Sequence, residues 1–492
     1  MLGMGHLMRC SMRSKSLAVL VAGCLAASAS GDQKPNVLFI AVDDLNDWVG
    51  TLGGHPQAQT PHIDRLASKG TLFENAHCQS PVCQSSRSSL MTSRFPHRTG
   101  IYFLNPDIDG SPALEGVVTL PERFASEGYE VLAGGKLFHN RDNRRIFETI
   151  GTYLDENGGF GPFPEEKISD PFSMKLWDWG AFPANGEDMT DDRLARWAVD
   201  ELQREREDPF FLAVGFYRPH VPMYAPQKWF DLFPSEEVLL PQVVADDRSD
   251  LSEYAKNLTT LKHIAPTHQW MEDNGEWQHA VQAYLASIAY VDDCVGRVLG
   301  ALEASEHYEN TIIVLFGDHG FHLGEKERWA KRTLWEDGLR VPLIVSTPQS
   351  RKAARANQPV GLIDIYPTLL DLCGFDSDDS LDGDSLVPIL ADSRALWDRP
   401  ILSTYGPGNH SVRSERYRYI RYKDGSEELY DHYDDPHEWR NLAGNSAFKN
   451  TKEDLAKWIP PASSEHEILG EGSTGHAAYE AALAALELRR AN

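Results

Sequence analysis

Cysteine is scarce in this sequence, with six residues in 492, and basic residues are outnumbered by acidic ones, 47 against 73. So few cysteines cannot form a disulfide framework. A net charge of −26 lacks the basic surface typical of nucleic-acid-binding proteins, so no nucleic-acid partner is expected. Repeats and low-complexity tracts are absent, and 41% hydrophobic residues are typical of a well-cored chain. The length allows one large domain or two to three ordinary ones, at about 100–200 residues each.

The sequence also lacks an apolar run long enough to cross a membrane, which needs about 20 residues. At the N-terminus, the apolar residues 17–27 follow three basic residues and end in small ones. This pattern predicts a signal peptide over residues 1–29, and therefore an exported protein (periplasmic, extracellular or lysosome-like) without a transmembrane segment. Residues 21–24 also resemble the lipobox of bacterial lipoproteins, so lipid anchoring through Cys24 is the alternative to simple cleavage.

Short apolar runs alternate with helical patterns along most of the chain. The runs that predict buried strands of a parallel sheet are residues 37–42, 210–216, 312–316 and 343–346, with a weaker one at 129–132. The clearest helical pattern covers residues 278–302, where apolar residues recur every three or four positions, and shorter helices are predicted before Phe124 and over 361–372. This alternation predicts an α/β domain over residues 30–390, with helices on both faces of the sheet.

The pattern changes after residue 374. An acidic stretch at residues 377–384 predicts a loop. Residues 418–422 and 428–430 alternate like antiparallel strands around an Asp424-Gly425 turn, which is a strong hairpin signal. Residues 476–490 are rich in alanine and leucine and predict a terminal helix. Residues 391–492 are therefore predicted to form a smaller α+β domain with an antiparallel sheet.

Polar side chains follow four of the predicted strands. They are three carboxylates, three imidazoles and a lysine: Asp43, Asp44, Asp318, His319, His220, His139 and Lys136. Because ligands of open α/β sheets bind beyond the carboxyl ends of the strands, we expect these side chains at one edge. Carboxylates with one imidazole suit a hard cation such as Ca²⁺, whereas zinc would favour more histidine or cysteine. The lysine and the other histidines beside such a metal suit a tetrahedral oxyanion as substrate.

The segment from Cys83 to Thr92 contains Cys-x-x-Ser-Arg followed by Leu-x-Thr. It resembles the signature of the sulfatase family, in which the cysteine is oxidised to formylglycine. Further motifs of that family follow in the same order: Val42-Asp43-Asp44, Gly135-Lys136 with His139, Pro219-His220, Gly317-Asp318-His319-Gly320, Trp329-Ala330-Lys331 and Glu428-Leu429-Tyr430-Asp431. The resemblance covers roughly residues 35–445 and is closest to the iduronate-2-sulfatase-like branch. One difference is Ser85, where the family usually has proline or alanine.

The resemblance implies an alkaline-phosphatase/sulfatase-like fold, with a large mixed sheet flanked by helices and a smaller C-terminal domain. It also implies hydrolysis of sulfate esters of a sulfated oligo- or polysaccharide. The implied cofactors are Ca²⁺ and a formylglycine at position 83, made by a formylglycine-generating or anaerobic sulfatase-maturing enzyme. The implied metal ligands are Asp43, Asp44, Cys83, Asp318 and His319. The implied catalytic residues are Cys83, Arg87, Lys136, His139, His220 and Lys331, with His220 as the acid for the leaving alcohol and Lys331 as the alternative.

Two other functions fit the same residues. One is a formylglycine-dependent phosphodiester or phosphonate hydrolase of the same superfamily, and the other is a catalytically silent glycan-binding protein with an unmodified Cys83. The sequence leaves open whether His322 and His410 reach the site. The segments expected to line the outer pocket, residues 140–189 and 238–277, contain no motif that identifies the sugar.

Overall fold

The computed structural model describes residues 34–139, 147, 149–150, 159–169, 176–260, 264–466 and 479–484. The predicted signal peptide, including Cys24, lies outside these residues. So does most of the predicted terminal helix, of which residues 479–484 are helical. Within the described ranges, no helix combines the length and the apolar character needed to cross a bilayer.

Strands and helices alternate through the chain. The strands are β1 (Asn36–Val42), β2 (Thr71–Phe73), β3 (Ala76–His77), β4 (Glu130–Gly135), β5 (Thr149–Ile150), β6 (Trp179–Ala181), β7 (Phe210–Phe216), β8 (Met223–Ala225), β9 (Thr311–Gly317), β10 (His322–Leu323), β11 (Trp329–Ala330), β12 (Leu343–Ser346), β13 (Ala354–Ala356), β14 (Val360–Gly361), β15 (Ile401–Thr404), β16 (His410–Arg413), β17 (Tyr417–Arg421) and β18 (Glu427–Asp431). The helices are α1 (Pro61–Ala67), α2 (Cys83–Thr92), α3 (Pro96–Thr99), α4 (Leu120–Ser126), α5 (Thr190–Leu202), α6 (Gln227–Phe230), α7 (Glu253–Thr259), α8 (His268–Asp273), α9 (Trp277–Ala304), α10 (Glu336–Leu339), α11 (Ile365–Cys373), α12 (Val387–Ala391) and α13 (Lys449–Ala456).

The main sheet has the order β13-β2-β12-β9-β1-β7-β4-β5. Its strands β9, β1, β7, β4 and β5 are parallel to one another, so the predicted strands that flank β1 are confirmed. The prediction that residues 343–346 form a parallel strand is wrong, because β12 runs antiparallel to both β9 and β2. The chain enters β12 from the same edge of the sheet at which β9 ends, so β12 runs in the opposite direction to β9. A strand buried on both faces has the same apolar pattern in either direction.

Two hydrophobic clusters cover the two faces of this sheet, and β1 shows how one strand serves both. Its Val37, Phe39 and Ala41 belong to one cluster, which includes apolar residues of α2, α4 and α11. The alternate residues of β1 belong to the other cluster, which includes apolar residues of α1, α5 and α9. The predicted α/β layering is therefore confirmed, and burial of a side chain such as Phe39 contributes about 1.5–3 kcal/mol.

The strands β15 to β18 form a separate antiparallel sheet in sequence order. The predicted hairpin is confirmed, with β17 and β18 joined by a turn in which Gly425 has a φ of 87°. One face of this sheet packs on α13 through Val412, Tyr419 and Leu455. Residues on the other face, including Ile420, belong to a hydrophobic cluster of the main sheet. All four strands lie after residue 390, and the exact domain boundary stays a prediction.

Candidate active site

The four central strands of the main sheet bring the predicted polar residues to one edge. The strand order β9-β1-β7-β4 makes their carboxyl ends neighbours. The backbone ladder continues just past these ends, where the Asp43 amide donates to the Phe216 carbonyl at 3.1 Å and the Lys136 amide to the Gly215 carbonyl at 2.7 Å. A Cβ atom at Gly215 would lie 2.1 Å from the Lys136 carbonyl oxygen. Only glycine therefore permits this close approach of β7 to the segment that carries Lys136.

The motif helix α2 begins at Cys83 and is buried over all ten residues, although five of them carry hydroxyl groups. All five hydroxyls have internal hydrogen-bond partners, as buried polar groups require: four donate to carbonyl groups, and the Ser88 hydroxyl accepts from Gln84 Nε2. Ser86 Oγ donates to the Asp318 carbonyl at 2.6 Å, which ties the helix to the loop after β9. Ser85 Oγ donates to the Ile101 carbonyl at 2.6 Å. The serine at the family's proline or alanine position is thus accommodated without an unpaired group.

Five acidic or imidazole side chains among the described residues surround Cys83. Asp43, Asp318 and His319 each present an atom within 4.8 Å of one another and of the Cys83 sulfur, and Asp44 and His220 belong to an overlapping group with Asp43 and Cys83. Asp44 Oδ2 is buried and has no hydrogen-bond partner among the described residues. The Asp44 amide donates to Asp318 Oδ1 at 3.0 Å, which holds the two loops together.

His319 presents one ring nitrogen to this cluster. Its Nδ1 lies 3.0 Å from the Gly320 carbonyl, which can only accept, so Nδ1 carries a proton. Nε2 then lies 3.4 Å from Asp44 Oδ1 and 3.5 Å from Asp318 Oδ2. Carboxylate oxygens with one fixed imidazole nitrogen and an orphaned buried oxygen fit a divalent cation that prefers oxygen ligands. The predicted metal ligands are therefore brought together.

Three cationic side chains are interleaved with the carboxylates. Lys331 Nζ contacts Asp44 and lies 3.1 Å from Cys83 Sγ. Lys136 Nζ contacts Asp43 and lies 3.7 Å from the same sulfur. The Arg87 guanidinium bridges Asp318 Oδ2, at 2.8 Å from Nε, and Asp43 Oδ1, at 3.1 Å from Nη2. The arrangement places two ammonium groups within 3.7 Å of the Cys83 sulfur.

The charges shift the pKa values of the cluster in opposite directions. Burial raises the pKa of Asp44 to about 7, with Lys331 opposing the rise. Burial would also raise the pKa of Asp43, but Lys136, His220 and Arg87 hold it well below the usual range. Burial and Asp43 would raise the pKa of the Cys83 thiol, yet the nearby lysines and His319 lower it well below normal. A thiolate is thus favoured at position 83.

His220 lies at the edge of the cluster. Its Nδ1 lies 2.6 Å from the Val221 carbonyl, so Nε2 faces Asp44 Oδ2 at 3.9 Å. Burial, with Lys331 and Lys136, lowers the His220 pKa well below its usual value. The loop is fixed by Asp191, which accepts the amides of residues 217 and 218.

Phe160 is a site residue that the sequence did not reveal. Its ring lies 4.8 Å from the His220 ring, and Lys136 Nζ lies 5.3 Å above it. The only local signal is an aromatic residue among glycines, which is common in loops.

The other histidines considered are placed differently. The His139 amide donates to Gln84 Oε1 at 3.3 Å, beside the motif helix, but its Nδ1 has no hydrogen-bond partner among the described residues. His322 bonds to Thr333 Oγ1 at 2.7 Å, and His410 lies between Thr404 and Glu465. His322 and His410 are thus engaged by neighbours outside the Cys83 cluster.

The chain is similar in sequence and in structure to known proteins. Residues 35–375 match the family model described as Sulfatase, and residues 324–464 match the model N-sulphoglucosamine sulphohydrolase, C-terminal. The chain is 42% identical over 442 residues to a sulfatase of Formosa agariphila, covering 87% of this chain and 86% of the relative. It is 32% identical over 339 residues to iduronate 2-sulfatase of Mus musculus, covering 64% and 59%. The solved structure of a 2-O GAG sulfatase matches with a TM-score of 0.67 and 25% identity, covering 86% and 91%.

These matches agree with the architecture and with the residues at the edge of the sheet. The structural match confirms the expected alkaline-phosphatase/sulfatase-like fold, with its large mixed sheet and separate C-terminal antiparallel sheet. The Sulfatase model spans well over half of the chain and includes every residue that contacts Cys83. The chain therefore belongs to the sulfatase family, whose members hydrolyse sulfate esters.

Proposed function

We propose that this sulfatase removes sulfate from a sulfated glycan, in the manner of an iduronate 2-sulfatase, through a formylglycine made from Cys83 and with a calcium ion. The observation that carries the proposal is the convergence on Cys83 Sγ of Lys331 Nζ and His319 Nε2, both at 3.1 Å, and of Lys136 Nζ at 3.7 Å. Two of the similar proteins are named as an iduronate 2-sulfatase and a 2-O GAG sulfatase, which favours a sulfated uronic acid as substrate.

The metal would be held by Asp43, Asp44, Asp318 and His319, together with the group at position 83. The orphaned Asp44 Oδ2 and the fixed His319 tautomer support this assignment. A bound Ca²⁺ would withdraw charge from the sulfate oxygens and lower the pKa of the attacking hydroxyl. Arg87, which bridges Asp43 and Asp318, would keep these two carboxylates in place.

At position 83, a formylglycine hydrate would supply the attacking hydroxyl and a second hydroxyl through which sulfate is later expelled. The side chain starts α2, where the backbone N–H groups and the helix dipole favour negative charge. Arg87 and Lys136, which both pair with Asp43, would help to orient the hydrate. A formylglycine-generating or anaerobic sulfatase-maturing enzyme is therefore the expected partner during biogenesis.

The sulfate would lie against Lys136, Lys331 and His139. Charge-assisted hydrogen bonds from the two buried ammonium groups are strong in a site that excludes water. His220 would protonate the departing sugar oxygen from Nε2, which faces the site while Nδ1 is held by the Val221 carbonyl. This role requires a proton on both ring nitrogens, which the negative charge of a bound sulfate would favour against the burial that lowers the His220 pKa. Lys331 remains the alternative acid, because its Nζ is closer to position 83.

The proposal includes export of the enzyme from the cell interior. A signal peptide over residues 1–29 would deliver the enzyme to the compartment in which sulfated polysaccharides are found, with lipid anchoring through Cys24 as the alternative. N-terminal sequencing of the protein secreted by its host distinguishes cleavage after Ala29 from cleavage before Cys24.

Two measurements on one preparation test the proposal. Mass spectrometry of the peptide that contains position 83 should show formylglycine, and a library of sulfated oligosaccharides should release sulfate, most from 2-O-sulfated uronic acids. Cys83→Ala is the matched control and should release none. Full activity with an unmodified cysteine would refute the nucleophile. Faster hydrolysis of matched phosphate diesters or phosphonates would favour the other reaction class. Glycan binding without turnover, by protein whose Cys83 stays unmodified even when it is made with a maturation enzyme, would favour a binding protein.

A further inference from the structure

A second polar cavity lies next to the segment that carries Lys331. It has a volume of about 200 Å³, many times the ~10–15 Å³ that one water needs. Its walls come from the chain before α7, from the segment between α7 and α8, from α8 itself and from the turn between β10 and β11. The polar residues in these walls include Arg248, Thr260, Thr267, His268, Glu327 and Arg328. Most of them belong to residues 238–277, a segment for which the sequence showed no motif.

Arg328 is the unusual member of this cavity. Its side chain is buried, with 6% of the residue exposed, yet Nε and Nη2 have no hydrogen-bond partner among the described residues. No carboxylate of those residues forms an ion pair with it either. Burial and the neighbouring Arg248 lower the Arg328 pKa to about 9. Buried charges are normally paired, so a guanidinium left in this state points to a missing anion.

The other charged groups of the cavity do not supply that anion. Glu272 is half exposed and lies 3.8 Å from His268 Nε2. Glu327 is adjacent in sequence to Arg328 and acts on Arg248, where it opposes the burial that lowers the Arg248 pKa. Arg248 itself donates from Nη2 to the Lys256 carbonyl at 3.2 Å, while its Nε has no partner among the described residues. Two guanidinium groups that line one cavity therefore have buried N–H groups without a partner among the described residues.

The cavity and the reactive centre share one strained segment. Arg328 precedes Lys331 by three residues, so their Cα atoms are at most about 10–11 Å apart. Lys326, Glu327 and Ala330 have φ values of 56°, 52° and 74°, in the left-handed region that non-glycine residues rarely adopt. Strain of this kind concentrates at functional sites. This spacing is short enough for one extended oligosaccharide to span both the cavity and the reactive centre.

We propose that the Arg328 cavity binds a second anionic group of the substrate, a sulfate ester or a carboxylate on the sugar next to the one that is desulfated. The proposal rests on the proposed glycan sulfatase function, which it narrows to polyanionic glycans. The planar guanidinium forks of Arg328 and Arg248 suit either anion through paired hydrogen bonds. The cavity would thus select substrate without taking part in the chemistry.

Kinetics with matched substrates test whether the Arg328 cavity favours substrates that carry a second anionic group. The probes are a disaccharide with one sulfate ester on the reacting sugar, and the same disaccharide with an added sulfate or carboxylate on the neighbouring sugar. Wild type should prefer the doubly anionic probes by roughly 10–100-fold in kcat/KM, as expected for hydrogen bonds to a charged group. Arg328→Met should lose that preference while its kcat/KM for the singly sulfated probe stays unchanged. An equal preference in both proteins would overturn the proposal. The probe with the larger preference identifies sulfate or carboxylate.

A second measurement does not depend on turnover. In a Cys83→Ala background, calorimetric titration with inorganic sulfate should show one binding site fewer after Arg328→Met, and the same stoichiometry would overturn the proposal even if no glycan is hydrolysed. Without anion, Arg328→Met should keep or raise Tm, because it removes an unpaired buried charge. Arg413→Met is the stability control, since Arg413 is buried but paired with Glu336 at 3.1 Å, and it should lower Tm. If Arg328→Met lowers Tm as much as the control, Arg328 has a structural role and the proposal is wrong. Arg328→Lys keeps the charge and should retain part of the sulfate affinity.

Discussion

Lys331 Nζ lies 3.1 Å from Cys83 Sγ, although the two residues are 248 positions apart in the chain. Lys331 directly follows β11, and the residues on both sides of it are left-handed, with φ values of 74° at Ala330 and 77° at Arg332. Such residues cost about 1–3 kcal/mol each and persist only where the surroundings enforce them. The fold thus maintains a strained segment in order to place one ammonium group at position 83.

The first prediction concerns the nucleophile. Cys83→Ser should fold with a Tm close to that of wild type, because the side chains are similar in size. It should show essentially no turnover, since a sulfated serine has no second hydroxyl through which to expel sulfate. Sulfate release under multiple-turnover conditions measures this, with wild type made with and without a maturation enzyme as the comparison. Full activity of Cys83→Ser would contradict the mechanism.

The second prediction concerns the metal. Asp43, Asp44 and Asp318 hold like charges close together, which is unfavourable without a cation. Exhaustive chelation should therefore lower both Tm and activity, and added Ca²⁺ should restore both. Calorimetry and sulfate release before and after chelation measure the two effects. Asp44→Asn is the control, because it removes one carboxylate and should reduce the dependence of Tm on calcium. A Tm that does not respond to chelation would exclude the site.

The position of the site was predictable because it depends on strand ends. The residues after β1, β4, β7 and β9 are visible in the sequence as polar motifs that follow apolar runs. The general rule that ligands bind beyond the carboxyl ends of parallel strands then brings Asp43, Lys136, His220 and Asp318 together. The structure confirms that these four strands are neighbours. Sequence and topology therefore give the cluster without knowledge of side-chain contacts.

Other features could not be predicted, for separate physical reasons. The direction of β12 depends on how residues 318–342 return, and its apolar pattern is the same in both directions. Phe160 reaches His220 only through tertiary packing, so no periodicity identifies it. The buried Arg328 nitrogens lack a partner among the described residues because of how several separate segments pack around one cavity. No single stretch of sequence shows this.

The third prediction concerns acid stability. Burial would raise the pKa of Glu438, but Arg418 and His432 lower it from 4.5 to about 2. The ionised carboxylate therefore stabilises the fold fully at pH values above 4.5, and this stabilisation is lost as the pH falls to about 2. Its carboxylate joins Arg418 of the C-terminal sheet to the Glu336 amide, at 2.6 and 2.8 Å. Glu438→Gln should lower the free energy of unfolding by about 3–5 kcal/mol at pH 7.

Urea unfolding at pH 7 and at pH 3 measures this effect. The difference between wild type and Glu438→Gln should shrink at the lower pH, because wild type then loses part of the same stabilisation. Glu453→Gln is the matched control, since Glu453 is exposed and pairs only with Lys449 on α13, and it should change stability by less than about 1 kcal/mol at both pH values. A Glu438→Gln effect that does not vary with pH would contradict the ionic role.

The fourth prediction separates the roles of His220 and Lys331. A sugar alkoxide is a poor leaving group, so loss of the general acid should slow a sulfated sugar by roughly 10²–10⁴-fold, while an activated aryl sulfate needs little protonation. His220→Ala should therefore affect the sugar far more than the aryl ester. Lys331→Ala should slow both alike, as expected for a group that binds sulfate. Values of kcat/KM for the two substrates, measured for both variants, show which residue is the general acid. If instead Lys331→Ala shows the leaving-group dependence and His220→Ala does not, Lys331 is the acid, and its contact with position 83 serves proton transfer.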